Sequence, residues 1–356
     1  MKPTTLKKQQ GVALIIALVI TTVAISLASL TIYRQRLQIR LSTNISNLEQ
    51  AYQYAIGMED WSKKILEKDY KDNPKVDSNQ EDWHIALPPI PIQGGSLIGQ
   101  LHDLQGRINL NSLLMKYPAL PQATPPPSRA GVNKSGTTNN GQDKTQVIKT
   151  ETLIYERLSA LIAMIDKDQT LGPPENFVDT LWDWIDKKDK ERQGGAESNY
   201  YQSLENPYMA ANTPLMHVTE LLLLKDLNKE MVEKLKPFIS TLPKDTTINL
   251  NTAPLEVLKA IGFDDTTATA IKKARDETPF ENLNDFWGLE EVKTLFAPNS
   301  EMGKKKANYA QTLSVNSNYF LLQGKVNINN TRLFINSILE RKKGKVRVIM
   351  RDYGNP

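Results

Sequence analysis

Carboxylates gather in one short stretch near the middle of the chain, among them Asp183, Asp186, Asp189 and Glu197. Asp183 and Asp186, three residues apart, share one face of a helix. Asp189 and Glu197 follow in a loop freed by Gly194-Gly195. Oxygen ligands from a helix end and a flexible loop suit Ca²⁺, which takes roughly six to eight oxygens at about 2.3–2.6 Å in irregular geometry. The spacing is not that of an EF-hand loop. The same residues also read as a solvated acidic helix end beside Lys187, Lys188 and Lys190, and residue types alone leave both readings open.

Other chemistry finds little support. The 356 residues contain no cysteine, which removes disulfides, thiolate zinc ligands and thiol catalysis together. The three histidines, His84, His102 and His217, are far apart in sequence. No Gly-x-Ser-x-Gly, P-loop, His-Glu-x-x-His or Rossmann fingerprint occurs, and an acidic pair alone does not make a glycosidase. The chain reads as a non-enzyme.

Ile248 to Phe286 resembles a helix-hairpin-helix unit, which binds DNA by aiming turn amides at phosphate. Here Gly262 is followed by Phe263-Asp264-Asp265, so two carboxylates occupy the phosphate position and repel the backbone. Those aspartates suit capping of the next helix, and Thr252 suits capping of the preceding one, with Pro254 in its first turn. Bulk charge agrees: taking Lys2, Lys7 and Lys8 of a basic leader from the 44 basic residues leaves 41 against 40 acidic ones. No nucleic acid is expected as a partner.

The elements that position these residues begin with an uncharged run, Val12 to Tyr33. At about 1.5 Å of rise per residue it makes roughly 33 Å of helix, enough to cross a hydrocarbon core. It is too long for a secretory signal and lacks a small-residue exit. Three lysines before it and Arg34, Arg36 and Arg40 after it leave orientation undecided by charge. Apolar positions Leu41, Ile45, Leu48, Tyr52, Ala55, Met58 and Ile65 continue at helical spacing, and no proline lies between Pro3 and Pro74. One helix of about 55 residues is predicted, half in the membrane and half amphipathic. Mean hydropathy is −0.43 despite the apolar run, so the remainder is an ordinary soluble ectodomain.

Extended pieces are predicted at Ser96 to Asn111, turning near Gln105-Gly106. Further pieces follow at Tyr319–Leu322, Lys325–Ile328, Arg332–Leu339 and Lys345–Met350, the last two forming a hairpin. Residues 118–148 are rich in Pro, Gly, Asn, Ser and Thr and read as a disordered loop. Helical stripes fill 151 to about 300. The fold class is α+β: a pilin-like long amino-terminal helix plus an antiparallel sheet, split by a large inserted α-helical domain.

Four segments in order carry a resemblance to one family, the K-type minor pseudopilins of type II secretion. The first is a basic leader ending in Gly11 directly against the helix. The others are Asp103-x-x-Gly106-Arg107-x-Asn109-x-Asn111; Thr180 to Asp186 continuing to Tyr208; and Ile248-Asn249-Leu250-Asn251-Thr252-Ala253-Pro254. The resemblance implies cleavage between Gly11 and Val12 by a prepilin peptidase, leaving Ile16 as the fifth mature residue. Most pilins carry glutamate there, whereas an apolar residue is the norm in this subfamily and fits a filament tip. The implied regions are a leader (1–11), a transmembrane and stalk helix (12–70), a first sheet part (71–112), an inserted α-domain (113–310, with a hairpin-like unit at about 248–290) and terminal strands (311–356). The implied cofactor is structural Ca²⁺ on Asp183, Asp186, Asp189 and Glu197, with Asn199 or a backbone carbonyl in addition.

Implied partners are the I-, J- and H-type minor pseudopilins, met through Leu41, Ile45, Leu48 and Tyr52. The prepilin peptidase, the inner membrane, secreted substrates and the outer-membrane secretin complete the set, with the ectodomain in the periplasm. A membrane-tethered DNA-uptake factor and a type IV pilus minor pilin are the competing functions. Salt-dependent DNA binding separates the first, and a twitching phenotype the second.

Overall fold

One uninterrupted helix, α1 (Gln10–Asp72), runs 63 residues, roughly 95 Å at helical rise. The computed structural model describes residues 10–86, 88–114 and 150–354. The leader up to residue 9 and the loop expected at 118–148 lie outside the described residues. Asn44, Asn47 and Gly57 do not break α1, although each is a weak helix former. Within the apolar part, the hydroxyls of Thr22, Ser26 and Thr31 donate to carbonyls one turn back, at 2.8–3.0 Å. That satisfies them within the helix itself.

From Val12 to Ser46 α1 is exposed at every position; burial begins at Asn47. From there Ala51, Ala55, Met58, Ser62 and Leu66 are buried at spacings of three and four, a single stripe laid on a sheet. After α1 come β1 (Ile90–Ile92), β2 (Gly95–Asp103) and β3 (Ile108–Asn109). The helical block follows: α2 (Thr150–Ile165), α3 (Pro174–Ile185), α4 (Ser198–Gln202), α5 (Lys229–Leu235), the short strands β4 (Ile239–Ser240) and β5 (Ile248–Asn249), α6 (Leu255–Ala260), α7 (Asp265–Glu277), α8 (Leu283–Trp287), α9 (Glu290–Leu295), α10 (Glu301–Thr312) and β6 (Leu313–Ser314). The chain returns through β7 (Tyr319–Ile328), β8 (Thr331–Lys342) and β9 (Lys345–Asp352).

The main sheet has the order β1-β2-β7-β8-β9, antiparallel throughout. Strands β2 and β7 are neighbours although the whole helical block separates them in sequence, so the block is an insertion between two hydrogen-bonded strands. Tyr319–Leu322 and Lys325–Ile328 belong to one strand, since Gly324 continues the ladder opposite Gly99. Those paired glycines make a seat for α1: a Cβ at Gly99 would lie 2.5 Å from Met58 Sδ, and one at Gly324 2.4 Å from Met58 Cε. The hairpin between β8 and β9 turns at Lys343-Gly344, both at positive φ as a two-residue turn requires. After Gln105-Gly106 the chain does not fold back on β2; β3 instead pairs in parallel with β4.

Two cores result. One lies between α1 and the sheet and contains Leu66, Trp83, Phe320 and Leu339. The larger fills the helical block, around Leu158, Leu181, Tyr201, Leu258 and Phe286.

Candidate functional site

The helical block is joined to the sheet by a buried polar cluster at the end of β2. Asp103, 8% exposed, accepts hydrogen bonds from Gln105 N, Asn249 Nδ2, Thr252 Oγ1 and Ser317 Oγ at 2.5–3.0 Å. Asn249 Nδ2 also donates to the Asp77 carbonyl. One carboxylate thus binds the first strand, the inserted block and the returning chain, while Asn249 ties in the loop after α1. Burial pushes the Asp103 carboxyl up, against the donors that favour its charged form. Beside it, buried Arg341 pairs with Asp69 and Asp77 and lies against the rings of Tyr70 and Phe320. Thr252 was expected to cap α6. Its hydroxyl is drawn to the Asp103 carboxylate instead, and Pro254 holds the cap position.

The two asparagine motifs are one device used twice. In Ile108-Asn109-Leu110-Asn111, the Asn109 side chain accepts from Asn111 N, and Asn111 clamps Leu215, accepting from its N–H and donating to its carbonyl. In Ile248-Asn249-Leu250-Asn251, Asn249 accepts from Asn251 N, and Asn251 clamps Phe280 in the same way. Leu215 and Phe280 each follow Thr-Pro. Each motif also opens a two-residue parallel ladder, β3 with β4 and β5 with β6. The repeated Ile-Asn-Leu-Asn quartet is a sequence signal for this internal symmetry that the motif reading did not use.

The acidic segment lies in the first of these two units. Asp183 and Asp186 are buried near the end of α3, and Glu197 is 3% exposed just before α4. Asp189 and Asn199 are exposed. The Gly194-Gly195 loop is pressed against α3, where a Cβ on Gly195 would sit 1.8 Å from Asp183 Oδ2. Gly194 N donates to Asp179 Oδ2 and its carbonyl accepts from Thr180 Oγ1, both at 3.2 Å. Arg192 holds the two aspartates, through Asp183 Oδ1 and, at 3.2 Å, Asp186 Oδ2, and its guanidinium lies 4.4 Å over the Trp182 ring. Sequence reasoning missed both Arg192 and Asp179.

Glu197 is the anomaly in this segment. Both of its carboxylate oxygens are buried without a hydrogen-bond partner. Burial, followed by the charges of Asp183, Asp186 and Asp189, pushes its carboxyl up to about 7. Glu197 is thus a buried carboxyl with no countercharge of its own, while Arg192 answers Asp183 and Asp186; these side chains offer oxygen donors, as a hard cation requires. Among the described residues, three acids that each bring one oxygen within 4.8 Å of the others are found at Asp69, Asp77 and Glu81, and not among Asp183, Asp186, Asp189 and Glu197. At Asp69 and Asp77 Arg341 already supplies the positive charge.

In the hairpin-like unit Asp264 caps α7 by accepting from Thr267 N at 2.7 Å, and Asp265 pairs with Lys259. Tyr309 of α10 packs on this turn and donates its hydroxyl proton to the Ile261 carbonyl. Its amides are therefore flanked by carboxylates and partly covered by a ring.

On the stalk, Leu41, Ile45 and Leu48 are 48–67% exposed and Tyr52 is 36% exposed. Tyr52 meets Tyr353 at 5.7 Å between ring centres, whereas Ala55 and Met58 of the same predicted stripe are buried under the sheet. One helix in the described structure, near the amino terminus, is long and apolar enough to cross a membrane, and none of its apolar window is buried.

Family models described as type II secretion system (T2SS), protein K, match residues 106–244 and 248–303, meeting between the two asparagine units. The chain is 32% identical to type II secretion system protein K of Pseudomonas aeruginosa, covering 97% of this chain and 93% of that one. It is 26% identical to the protein of the same description from Aeromonas hydrophila, covering 97% of each. Among solved structures it is similar to a chain in the GspK-GspI-GspJ complex from the enterotoxigenic Escherichia coli type 2 secretion system. The TM-score is 0.67 at 24% identity, over 88% of this chain and 99% of that chain. That likeness extends to the long helix, the antiparallel sheet and the inserted helices.

Proposed function

The chain belongs to the type II secretion system protein K family, and from that premise we propose that it caps the tip of the pseudopilus and initiates its assembly with the I- and J-type minor pseudopilins. The observation that carries this reading is the divided stalk. Above Asn47 the helix is bound to its own sheet, and below it an apolar face is exposed. Such a face is stable in a bilayer before assembly and among other apolar stalks afterwards. Cleavage after Gly11 by a prepilin peptidase leaves Val12 as a methylated amino terminus in the inner membrane. Ile16 then offers no carboxylate to pair with a subunit above it, which suits the topmost place. The inserted block makes that tip broad, so that it faces exported proteins and the secretin rather than another subunit.

Within the block, Asp183, Asp186, Asp189 and Glu197 hold Ca²⁺, with Asn199 or a backbone carbonyl as an added oxygen. The ion supplies the positive charge that buried Glu197 lacks. Arg192 occupies Asp183 and Asp186 in the described arrangement and has to yield them, keeping its existing contact with the Trp182 ring. The role is to brace the α3–α4 loop, not catalysis.

Two measurements test this function. Mass spectrometry of the chain from a host with its peptidase should find a methylated Val12 start; an intact Met1 would contradict it. Calcium should raise the melting temperature of the purified chain and a chelator should reverse the rise. Glu197→Gln should lose most of that response, and an unchanged melting temperature would remove calcium from the account.

A further inference from the structure

The carboxylate oxygens of Asp183 and Asp186 are all bonded from within the loop that follows α3. Asp183 Oδ1 accepts from Arg192 Nη1, and Asp183 Oδ2 accepts from the Arg192 backbone N–H at 3.0 Å. Asp186 Oδ2 accepts from Arg192 Nη2 at 3.2 Å, and its Oδ1 from the Lys188 backbone N–H at 2.8 Å. Three of these four bonds come from one residue. Bonds between a guanidinium and carboxylates are among the strong ones, and this guanidinium is also held 4.4 Å over the Trp182 ring.

Glu197 has no share in the arrangement. Both of its oxygens are buried without a partner, although the charges of Asp183 and Asp186 act on it. The lysines nearby do not make good the difference. Lys187, Lys188 and Lys190 are exposed, and Lys225 directs its ammonium to the Gly195 carbonyl at 3.4 Å and to the Tyr200 ring. One guanidinium thus answers two buried acids and leaves a third without a cation. A divalent ion, which takes oxygens from several side chains at once, answers all three. It needs the oxygens that the arginine holds, and it reaches Glu197 only when the loop parts from α3.

Building on the calcium reading above, we propose that Arg192 is an internal competitor for the ion: it braces the loop between α3 and α4 when calcium is scarce and sets the concentration at which calcium takes over. A buried pair of aspartates with no cation is strongly destabilising, so the guanidinium keeps the loop on α3 by itself. The same contact lowers the fraction of molecules whose aspartates are free, and apparent affinity falls with that fraction. A guanidinium engaged in about nine molecules in ten weakens calcium about tenfold. Removing calcium then exchanges one brace for another and leaves the loop folded.

The test uses the full-length chain in phosphatidylcholine nanodiscs, freed of metal with a chelator and titrated calorimetrically with calcium chloride. Arg192→Met should bind calcium about tenfold more tightly than the wild type. Its melting temperature should fall in chelator and return to the wild-type value in saturating calcium. Arg192→Lys keeps the charge but cannot bridge two carboxylates; its affinity should lie between the two, which decides the matter if the methionine variant does not fold. Lys190→Met removes an exposed charge from the same loop and should shift affinity by about threefold at most. Equal affinity in the wild type and both Arg192 variants would overturn the competitor and leave the calcium reading standing. So would a gain matched by Lys190→Met, or a melting temperature lowered as much in saturating calcium as in chelator. No calcium binding by any of these proteins would overturn both readings together.

Discussion

Arg351, in the last strand, holds the Glu59 carboxylate of α1 through hydrogen bonds of 2.8 and 2.7 Å from Nε and Nη2. Glu59 is 1% exposed and also accepts from Ser337 Oγ. The carboxyl end of the chain is thereby fastened to the stalk, and the sheet cannot slide along the helix that displays the free apolar face. Arg351 can reach solvent if released, whereas Glu59 cannot, so the two losses are unequal. Arg351→Ala should destabilise by about 3 kcal/mol, because it leaves a buried charge unpaired. Glu59→Gln should cost clearly less, and urea midpoints of the two variants check the order.

Met58 and its two glycines predict a rescue. Gly99→Ala, whose new methyl group has its tight contacts with Met58, should cost about 1–3 kcal/mol by overpacking. In a Met58→Ala background the same substitution should be close to neutral. Additive losses in a double-mutant cycle would show that the glycines serve some other need.

The paired asparagine clamps should behave alike. Asn251→Ala removes the partners of Phe280 N and its carbonyl, and Asn111→Ala does the same at Leu215. Each leaves buried backbone groups unpaired and should cost about 2–3 kcal/mol. Hydrogen exchange should show each loss concentrated in its own unit; a change spread evenly over both would contradict two separate clamps.

Acid dependence follows from the loop after α1. Burial pushes Asp77 up to about 6 and Glu81 up to about 7, above ordinary unfolded values of about 3.9 and 4.3. The folded chain therefore holds protons that the unfolded chain releases. Their stabilising contribution is complete below the unfolded values and is lost as pH rises through about 6 and about 7. Glu81→Gln should gain on the wild type as pH is raised from 5 to 7.5. A constant difference between the two across that range would contradict the assignment.

Much of this architecture was legible because it rests on periodicity. The absence of proline between Pro3 and Pro74 gave the long helix, and alternation gave β7 to β9. What periodicity could not carry was direction. Leu48, Tyr52, Ala55 and Met58 form one stripe in sequence, yet the sheet covers only the upper part, because a helix pattern does not say what lies opposite. Thr252 was misassigned because a cap and a carboxylate partner demand the same hydroxyl. Arg192 escaped notice because a cation among acids is visible only once the Gly194-Gly195 loop is folded onto α3.

Co-expression of the full chain with I- and J-type minor pseudopilins, followed by affinity purification through this chain alone, tests tip assembly most directly. The account predicts a stable complex with one copy of each subunit, lost on Ile45→Glu with Leu48→Glu while the ectodomain stays folded. A wild-type chain that purifies folded but without either partner, or a complex indifferent to those two substitutions, would contradict it.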